Sequence, residues 1–369
     1  MSKTVLSVRS DVKLAGPGRL MLASAQALRR VGIETVFATG GGDMVGEIER
    51  AGFRHVHIPE LRLEKRSLLS TAMAAVKLTG VARRHRVSII HSHNAHSGLA
   101  AIPASRLTGA FLVNTVHGNG KEGFLRFMPF PLIAVSRSVK EKLTGHGVPA
   151  HRISVVYNST LDDRFILREE GAFAELSAQR AAARPFTFVS VAVFTGRKGH
   201  REIVDAVRAY VETARGPDIR VRFVGDGPTM AETRALVDQY GLGDMFEFVG
   251  ASDHVETHLA QAHAFIHLPE AETFGMVLAE ANGLGLPCIA ADVGGIPEVI
   301  SDGETGFLVD RNDPEGVARR MVELVNSEEL RLRMGRAGSR RAREMFRIET
   351  LAEDLMRLYR VRPDGAPLH

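Results

Sequence analysis

Tryptophan is absent from this chain, tyrosine occurs four times, and there is a single cysteine, Cys288. One cysteine rules out an internal disulfide framework and fits a reducing compartment. Because it lies in the apolar run LPCIAA, it is expected to be a buried strand residue. No stretch of about 18 apolar residues occurs, so no membrane-spanning helix is expected. The start, MSKTVLSVRSDVK, passes directly into a strand-like segment without the apolar centre of a signal peptide, and the expected location is cytoplasmic. Scarce aromatic rings and the lack of any nucleic-acid-binding motif argue against nucleic acid as a partner. Excess charge is also small: the net charge is +4 and the pI about 9.4, a mild basicity that suits an anionic ligand or surface. Seven arginines fall within residues 331 to 347, with Glu344 as the only acid. A helix with a solvated polar face explains them most simply, and contact with an anionic membrane is the second reading.

The 369 residues exceed one ordinary α/β domain and suit two domains of about 150 to 200 residues each. Short β-branched runs alternate with helix-period segments throughout. TVLSV, TVFAT, HVHI, SIIHS, FLVNTV, LIAVS and ISVVY are the strand candidates of the first half. FTFVSVAVF, IRVRFVG, MFEFVG, AFIHLP, LPCIAA and TGFLV follow in the second. Buried strands alternating with helices imply two doubly wound parallel sheets, expected to face one another across a cleft with ligand at the strand carboxyl ends. The polar, alanine-rich segment DDRFILREEGAFAELSAQRAAARP carries no strand and reads as a linker. Boundaries are therefore set at 1–165 and 166–347, with the remaining 348–369 helical.

Candidate chemistry sits at strand ends. Gly16 and Gly18 follow the first strand and would let the backbone approach an anion at a helix start. A third fingerprint glycine and the acidic residue of a dinucleotide site are missing, and no Gly-Lys-Ser/Thr phosphate loop exists. His91, His93 and His96 in HSHNAH lack a carboxylate or cysteine at ligand spacing, so no metal is expected. His117 ends the next strand beside a Gly-Asn-Gly turn. Arg197 and Lys198, at a later strand-to-helix turn, oppose the helix dipole unless an anion occupies the place, and a diphosphate fits. VGDGP repeats the strand-to-helix form. In ETFGMVLAEANGLGLPCIAADVGG, a helix opening at Phe274-Gly275-Met276 offers free N–H groups to a phosphate, and Glu272 must then face something neutral. Glu280 lies about 8 to 12 Å farther along that helix. Two carboxylates binding hydroxyls on either side of a phosphate match the dimensions of a nucleotide sugar. A hydrolase pair would need carboxylates about 5 to 10 Å apart across one bond, usually from different strands.

PEAETFGMVLAEANGLGLPCIAADVGGIPEVISDGETGFLV resembles the donor-site signature of the retaining GT-B glycosyltransferases of family 4, with its Glu-x-Phe-Gly and Glu-x7-Glu pattern. The likeness extends through the glycine loop, the His-x-His and Thr-x-His-Gly strand ends, AVSRSVKEKL, VVYNSTLDDRF, RKG, VGDGP and VGAS. It implies a GT-B fold of two Rossmann-like domains, with the last helix (348–369) packing back on the acceptor-side first domain and the second domain binding the donor. Glu272 would hold the transferred sugar, Glu280 the ribose, and the Met276 and Val277 backbone the diphosphate, with Phe274 and Gly275 at the same turn. Lys198, with Arg197 beside it, would neutralise the leaving phosphate. Gly16 and Gly18 would approach it, His117 would sit against the sugar, and Ser252 would contact the base. Two positions depart from the family pattern: Val193 stands where an arginine is usual, and Ser159 in NSTLD replaces a glycine. The implied reaction is retaining transfer from a UDP-, GDP- or ADP-sugar to a glycan or lipid-linked acceptor, with no cofactor and no metal, in synthesis of bacterial-type cell-surface polysaccharide, lipopolysaccharide or glycolipid. The alternatives are a nucleotide-sugar epimerase or hydrolase, or a non-catalytic nucleotide-sugar binder, which the valine at 193 favours. Phe124, Leu125, Phe127, Met128 and Phe130 form an apolar cluster that is either core or contact with acceptor and membrane. With the basic LRLEKR and RRHR stretches it suggests peripheral attachment to an anionic membrane at its inner face.

Overall fold

The computed structural model describes residues 4–13, 16–118, 122–159, 163–167, 169–213 and 219–359. Among these residues thirteen strands occupy all thirteen expected runs: β1 Thr4–Arg9, β2 Glu34–Thr39, β3 Arg54–His57, β4 Ile89–Ser92, β5 Phe111–Val116, β6 Leu132–Ala134, β7 Ile153–Val155, β8 Phe186–Val191, β9 Ile219–Val224, β10 Phe246–Gly250, β11 Ala264–His267, β12 Cys288–Ala291 and β13 Gly306–Val309. The helices are α1 Gly16–Arg30, α2 Val45–Arg50, α3 Leu68–Arg84, α4 Ala95–Thr108, α5 Arg137–Gly145, α6 Glu170–Ala182, α7 His200–Thr213, α8 Met230–Gln239, α9 Val255–Ala260, α10 Met276–Gly283, α11 Ile296–Val299, α12 Pro314–Asn326, α13 Glu328–Met345 and α14 Ile348–Tyr359.

Two compact units result, one of Met1–Thr160 with Ile348–His369 and one of Leu161–Arg347. The first holds a seven-stranded sheet in the order β3-β2-β1-β4-β5-β6-β7, the second a six-stranded sheet in the order β10-β9-β8-β11-β12-β13. Every strand pair is parallel. Strand order reverses between β1 and β4 in one sheet and between β8 and β11 in the other, and carboxyl ends at such reversals are where ligands of these sheets bind.

The strands read as continuous apolar runs because both sheet faces are covered. In the first unit Leu6, Ile90, Leu112 and Leu132 face one way, against the Ala74-Leu78-Ala82 stripe of α3 and the alanines of α4. Their neighbours Val5, Ile89, Val113 and Ile133 face the other way, against Leu20 and Leu28 of α1 and Leu351, Leu355 and Tyr359 of α14. The two-residue period of a strand sorts the side chains between faces, and four-residue steps place the α14 stripe on one side of its helix. Cys288 is fully buried in β12, where Asn282 Nδ2 donates to its sulfur at 3.2 Å and burial raises the thiol pKa.

The segment read as a linker is instead part of the second unit. α6 runs through it, with Phe173 and Arg180 seven residues apart on its buried side. Arg180 donates to the carbonyls of Ala260 at 2.9 Å, Leu259 at 3.3 Å and Gly285 at 3.4 Å, and burial lowers its pKa to about 9. Composition misleads here because a single buried guanidinium and one phenyl ring anchor an otherwise polar helix.

The arginines of α13 divide: Arg333, Arg336 and Arg340 stay on the expected exposed face, while Arg331, Arg341 and Arg343 are half-buried staples within the second unit. Arg331 donates to Leu324 O and Val325 O, the last carbonyls of α12, where the helix dipole favours a cation. Arg341 does the same at Glu298 O and Val299 O of α11, and Arg343 reaches Leu167 O. Arg333 reaches Gly303 O, and Arg336 pairs with Glu170 at 2.7 Å.

Candidate active site

In the second unit the chemistry gathers past the ends of β8 and β11. The turn after β8 packs on the segment after β11 through Gly199, whose φ of +82° favours glycine and where a Cβ would lie 1.9 Å from Leu268 O. Glu270 N–H then donates to Arg197 O at 2.9 Å. This close approach brings Lys198 Nζ to 2.8 Å from Glu272 Oε2, joining side chains 74 residues apart in sequence. Thr273 N–H donates to Glu272 Oε1 at 3.0 Å, and His267 Nε2 lies 3.9 Å from Oε2. Burial works against ionisation of Glu272, but His267 and Lys198 outweigh it and bring the pKa to about 2.

This pair supplies two partners that the local sequence did not show. Glu272 faces a cation of its own chain in addition to any ligand. The cations at the α7 start already have anionic partners, Lys198 with Glu272 and Arg197 with Glu270 at 3.7 Å, because the loop after β11 supplies carboxylates that the local sequence does not contain.

α10 begins at Met276 with Gly275 as an N-cap that makes no side-chain capping bond. The N–H groups of Met276 and Val277 have no acceptor among the described residues, as the geometry of a helix start requires. Leu278 and Ala279 enter the core, whereas Met276, Val277 and Glu280 stay half-buried on the open side. Phe274 is a core residue: its ring meets Phe346 edge-on at 5.4 Å, so its side chain is not available to a ligand. Gly295 N–H donates to Glu272 O at 3.0 Å, tying the Gly-Gly turn after β12 to the same loop.

Ser252 serves the start of α9, accepting from His254 N–H at 3.1 Å and lying 3.2 Å from His258 Nε2. Val193 is exposed beside the turn that carries Lys198. His200 lies flat on Phe194, with ring centroids 3.8 Å apart, and burial together with His267 and Lys198 lowers its pKa to about 4.

In the first unit Gly16 and Gly18 open α1. Gly18 is buried, and a Cβ there would lie 2.3 Å from Lys13 O and 2.7 Å from Met44 Sδ, so close packing within the unit requires this glycine. Leu14 and Ala15 of that loop, Asn119 and Gly120 of the turn after His117, and residues 160–162 of NSTLD lie outside the described residues.

The three histidines at strand ends form a stacked column. His91 and His93 rings are 4.1 Å apart, His93 and His117 5.4 Å. His91 Nδ1 meets Tyr359 Oη at 2.8 Å and its Nε2 meets Thr115 Oγ1 at 2.6 Å. His93 Nε2 meets Ser7 Oγ at 3.1 Å and its Nδ1 meets His117 Nε2 at 3.1 Å. Burial first, then neighbouring rings and Arg9, holds His93 and His117 well below the ordinary histidine pKa, so both are neutral. The column closes one side of a cavity of about 440 Å³.

His267, His200, Glu270 and Arg9 were missed in the sequence. The available signal was positional: each stands at or just beyond the carboxyl end of a buried parallel strand, or opens the following helix.

Two doubly wound parallel-sheet units, one with a helix start and charged pair beyond its β8 and β11 ends, are the architecture of the GT-B class. The description "Glycosyltransferase Family 4" matches residues 14–163 and "Glycosyl transferases group 1" matches residues 173–341, and the chain belongs to that family. It is 30% identical over 300 residues to an N-acetyl-alpha-D-glucosaminyl L-malate synthase of Bacillus anthracis, covering 77% of each chain. It is 27% identical over 372 residues to a GDP-mannose-dependent alpha-(1-6)-phosphatidylinositol monomannoside mannosyltransferase of Mycobacterium tuberculosis, covering 92% of this chain and 90% of the other. The fold is similar to that of Anabaena HepE, solved in complex with UDP and glucose: the TM-score is 0.79 at 19% identity, covering 96% of this chain and 98% of that one.

Proposed function

We propose that the protein is a retaining glycosyltransferase that moves a sugar from a nucleotide-sugar donor to an acceptor hydroxyl, without metal, in synthesis of a cell-surface polysaccharide, lipopolysaccharide or glycolipid. The Lys198–Glu272 pair beside the N–H groups of Met276 and Val277 carries this reading. An ammonium has three N–H donors, so Lys198 can keep one on Glu272 and turn the others to a departing phosphate. The α10 N–H groups add fixed donors for the same charge. Glu280, on the open side of α10, suits ribose hydroxyls, and Glu272 retains oxygen lone pairs for sugar hydroxyls. Likeness to the retaining family supports retention, with the leaving phosphate oxygen taking the acceptor proton on the same face. The named relatives and the fold neighbour support a nucleotide-linked donor and leave the base open.

A thermal-shift screen with UDP, GDP, ADP and their sugars tests the donor, since a ligand of the folded state alone raises the midpoint. One nucleotide and its sugar are expected to raise it saturably. Incubation of that donor alone, then with varied hydroxyl acceptors, separates transfer from rapid hydrolysis, epimerisation or binding without turnover. Any of these last three outcomes overturns the transferase reading.

Membrane attachment is part of the proposal. The apolar cluster divides: Leu125 and Phe130 are core, while Phe127 is 69% exposed and Phe124 38%. α3 adds Leu68, Leu69, Met73 and Val76 as exposed apolar side chains, next to Lys65 and Arg66. Apolar insertion plus cations, each contributing about 1 kcal/mol near anionic lipid, suits the surface of a bilayer. No described helix is long and apolar enough to cross it. The protein is expected to sediment with anionic vesicles at low salt and to release as the Debye length falls from about 10 Å at 0.1 M to about 3 Å at 1 M. Phe127→Asp is expected to weaken sedimentation without lowering the melting midpoint. Indifference of the wild type to anionic vesicles at low salt refutes attachment.

A further inference from the structure

The 440 Å³ cavity of the first unit has an unusual charge balance. Among the described residues its wall carries two guanidinium groups, Arg9 and Arg66, and no aspartate or glutamate. Arg9 is held from behind: its Nε donates to Asp11 O at 2.9 Å and one terminal nitrogen to His93 O at 3.0 Å. Its other terminal nitrogen has no acceptor among the described residues. The Asp11 carboxylate pairs with the exposed Lys13 at 3.6 Å and also offsets part of the Arg9 charge, less than burial opposes it. Arg66 makes no ion pair among the described residues. His96, on the same wall, is 6% exposed, and neither ring nitrogen has a partner.

Arg66 is exposed, but Arg9 and His96 are not, and buried donors without acceptors cost free energy, a desolvated guanidinium most of all. The groups that relieve this cost are acceptor-only and negatively charged, with planar or tetrahedral oxygens that match a guanidinium fork. Neutral sugar hydroxyls are usually bound by carboxylates, which the second unit offers at Glu272 and Glu280 and the described wall of this cavity does not. The remaining wall includes Pro17, Leu63, Leu99 and Phe124, so the anion would share the cavity with an apolar portion.

We propose that this cavity binds the acceptor through a carboxylate or phosphate group held between Arg9 and Arg66, with His96 completing the contact. The acceptor is then a hydroxyl-bearing anion, either a small hydroxy acid or phosphate ester, or the headgroup of an anionic lipid. The role of this anion as acceptor rests on the transferase reading, whereas its binding does not.

The test uses the full chain. Glycerol 3-phosphate, malate and inositol 1-phosphate are titrated by calorimetry against glycerol and inositol, with the nucleoside diphosphate that binds best held at saturation. The anions are expected to bind saturably and the neutral counterparts at least tenfold more weakly. Arg66→Gln, a surface change that leaves folding intact, is expected to weaken the anions at least tenfold, and Arg9→Gln likewise. Equal affinity for charged and neutral compounds, or anion binding indifferent to Arg66→Gln, overturns the proposal. Phosphatidylinositol vesicles distinguish the source: Arg66-dependent binding of vesicles but not of the soluble anions assigns the site to a headgroup, and the reverse to a free anion. Vesicle binding unaffected by Arg66→Gln, with no soluble anion bound, overturns both forms. If no nucleotide binds, the transferase reading fails while the anion titration still decides the cavity. If anions bind in the Arg66-dependent way but are not glycosylated beside a neutral acceptor that is, the acceptor role fails and the transferase reading stands.

Discussion

Lys198→Ala is expected to lower kcat by a factor of about 100 or more, the loss typical of removing one preorganised electrostatic donor at a developing charge. The leaving diphosphate gains charge as the glycosidic bond breaks, and the α10 N–H groups alone cannot replace a full cation. The structure adds a second consequence. Glu272 is mostly buried, with 18% of its side chain exposed, and its pKa of about 2 depends on Lys198 together with His267. Without the lysine its folded-state pKa rises, and the contribution that ionised Glu272 makes above the ordinary carboxylate pKa shrinks. The double variant Lys198→Ala with Glu272→Gln is therefore expected to be more stable than Lys198→Ala alone, because no buried carboxylate without its lysine remains. Steady-state kinetics at saturating donor and acceptor, with the melting midpoints of all three variants, check both statements. Near-normal turnover of Lys198→Ala would sink the role in catalysis.

Glu280→Gln and Glu272→Gln are expected to separate by ligand. Losing a charged acceptor of ribose hydroxyls removes about 1.5 to 3 kcal/mol, so Glu280→Gln should weaken free nucleotide and nucleotide sugar alike by about ten- to a hundredfold. Glu272→Gln removes the carboxylate that Lys198 now neutralises at 2.8 Å. The freed ammonium attracts a diphosphate at least as strongly as before. Free nucleotide is expected to bind with unchanged or higher affinity, while transfer falls because the sugar loses its acceptor. Calorimetry with both ligands and each variant decides. An equal loss of free-nucleotide affinity in the two variants rejects this division of labour.

Much of the fold was legible because parallel strands buried on both faces leave an unbroken apolar trace, such as FLVNTV or FTFVSV, that few other structures produce. The start of α10 was legible for a similar local reason: Phe274-Gly275-Met276 combines a core anchor, a capping glycine and a helix former within three residues. Contacts remote in sequence were not. Nothing near Lys198 announces Glu272, and nothing near Arg341 announces the carbonyls of α11. The arginine-rich run read as wholly solvated, although Arg331, Arg341 and Arg343 cap carbonyls, because charge counts carry no information about which carbonyl ends lie within reach. α6 read as a linker because its two anchoring residues are outnumbered by alanines and charges.

The amino-acid sequence by itself determined the alternation of strands and helices, the two-sheet architecture and the family. These rest on short-range periodicity and on motifs whose parts are neighbours in the chain. Tertiary structure alone decided that Glu272 pairs with Lys198, that Phe274 and Gly18 are packing residues, that Ser252 serves a helix start, and that Arg9, Arg66 and His96 share a cavity whose described wall carries no carboxylate. The physical reason is the same each time. A side chain's charge state and partners depend on distances of 3 to 4 Å, and crossovers in a doubly wound sheet bring within that distance residues dozens of positions apart.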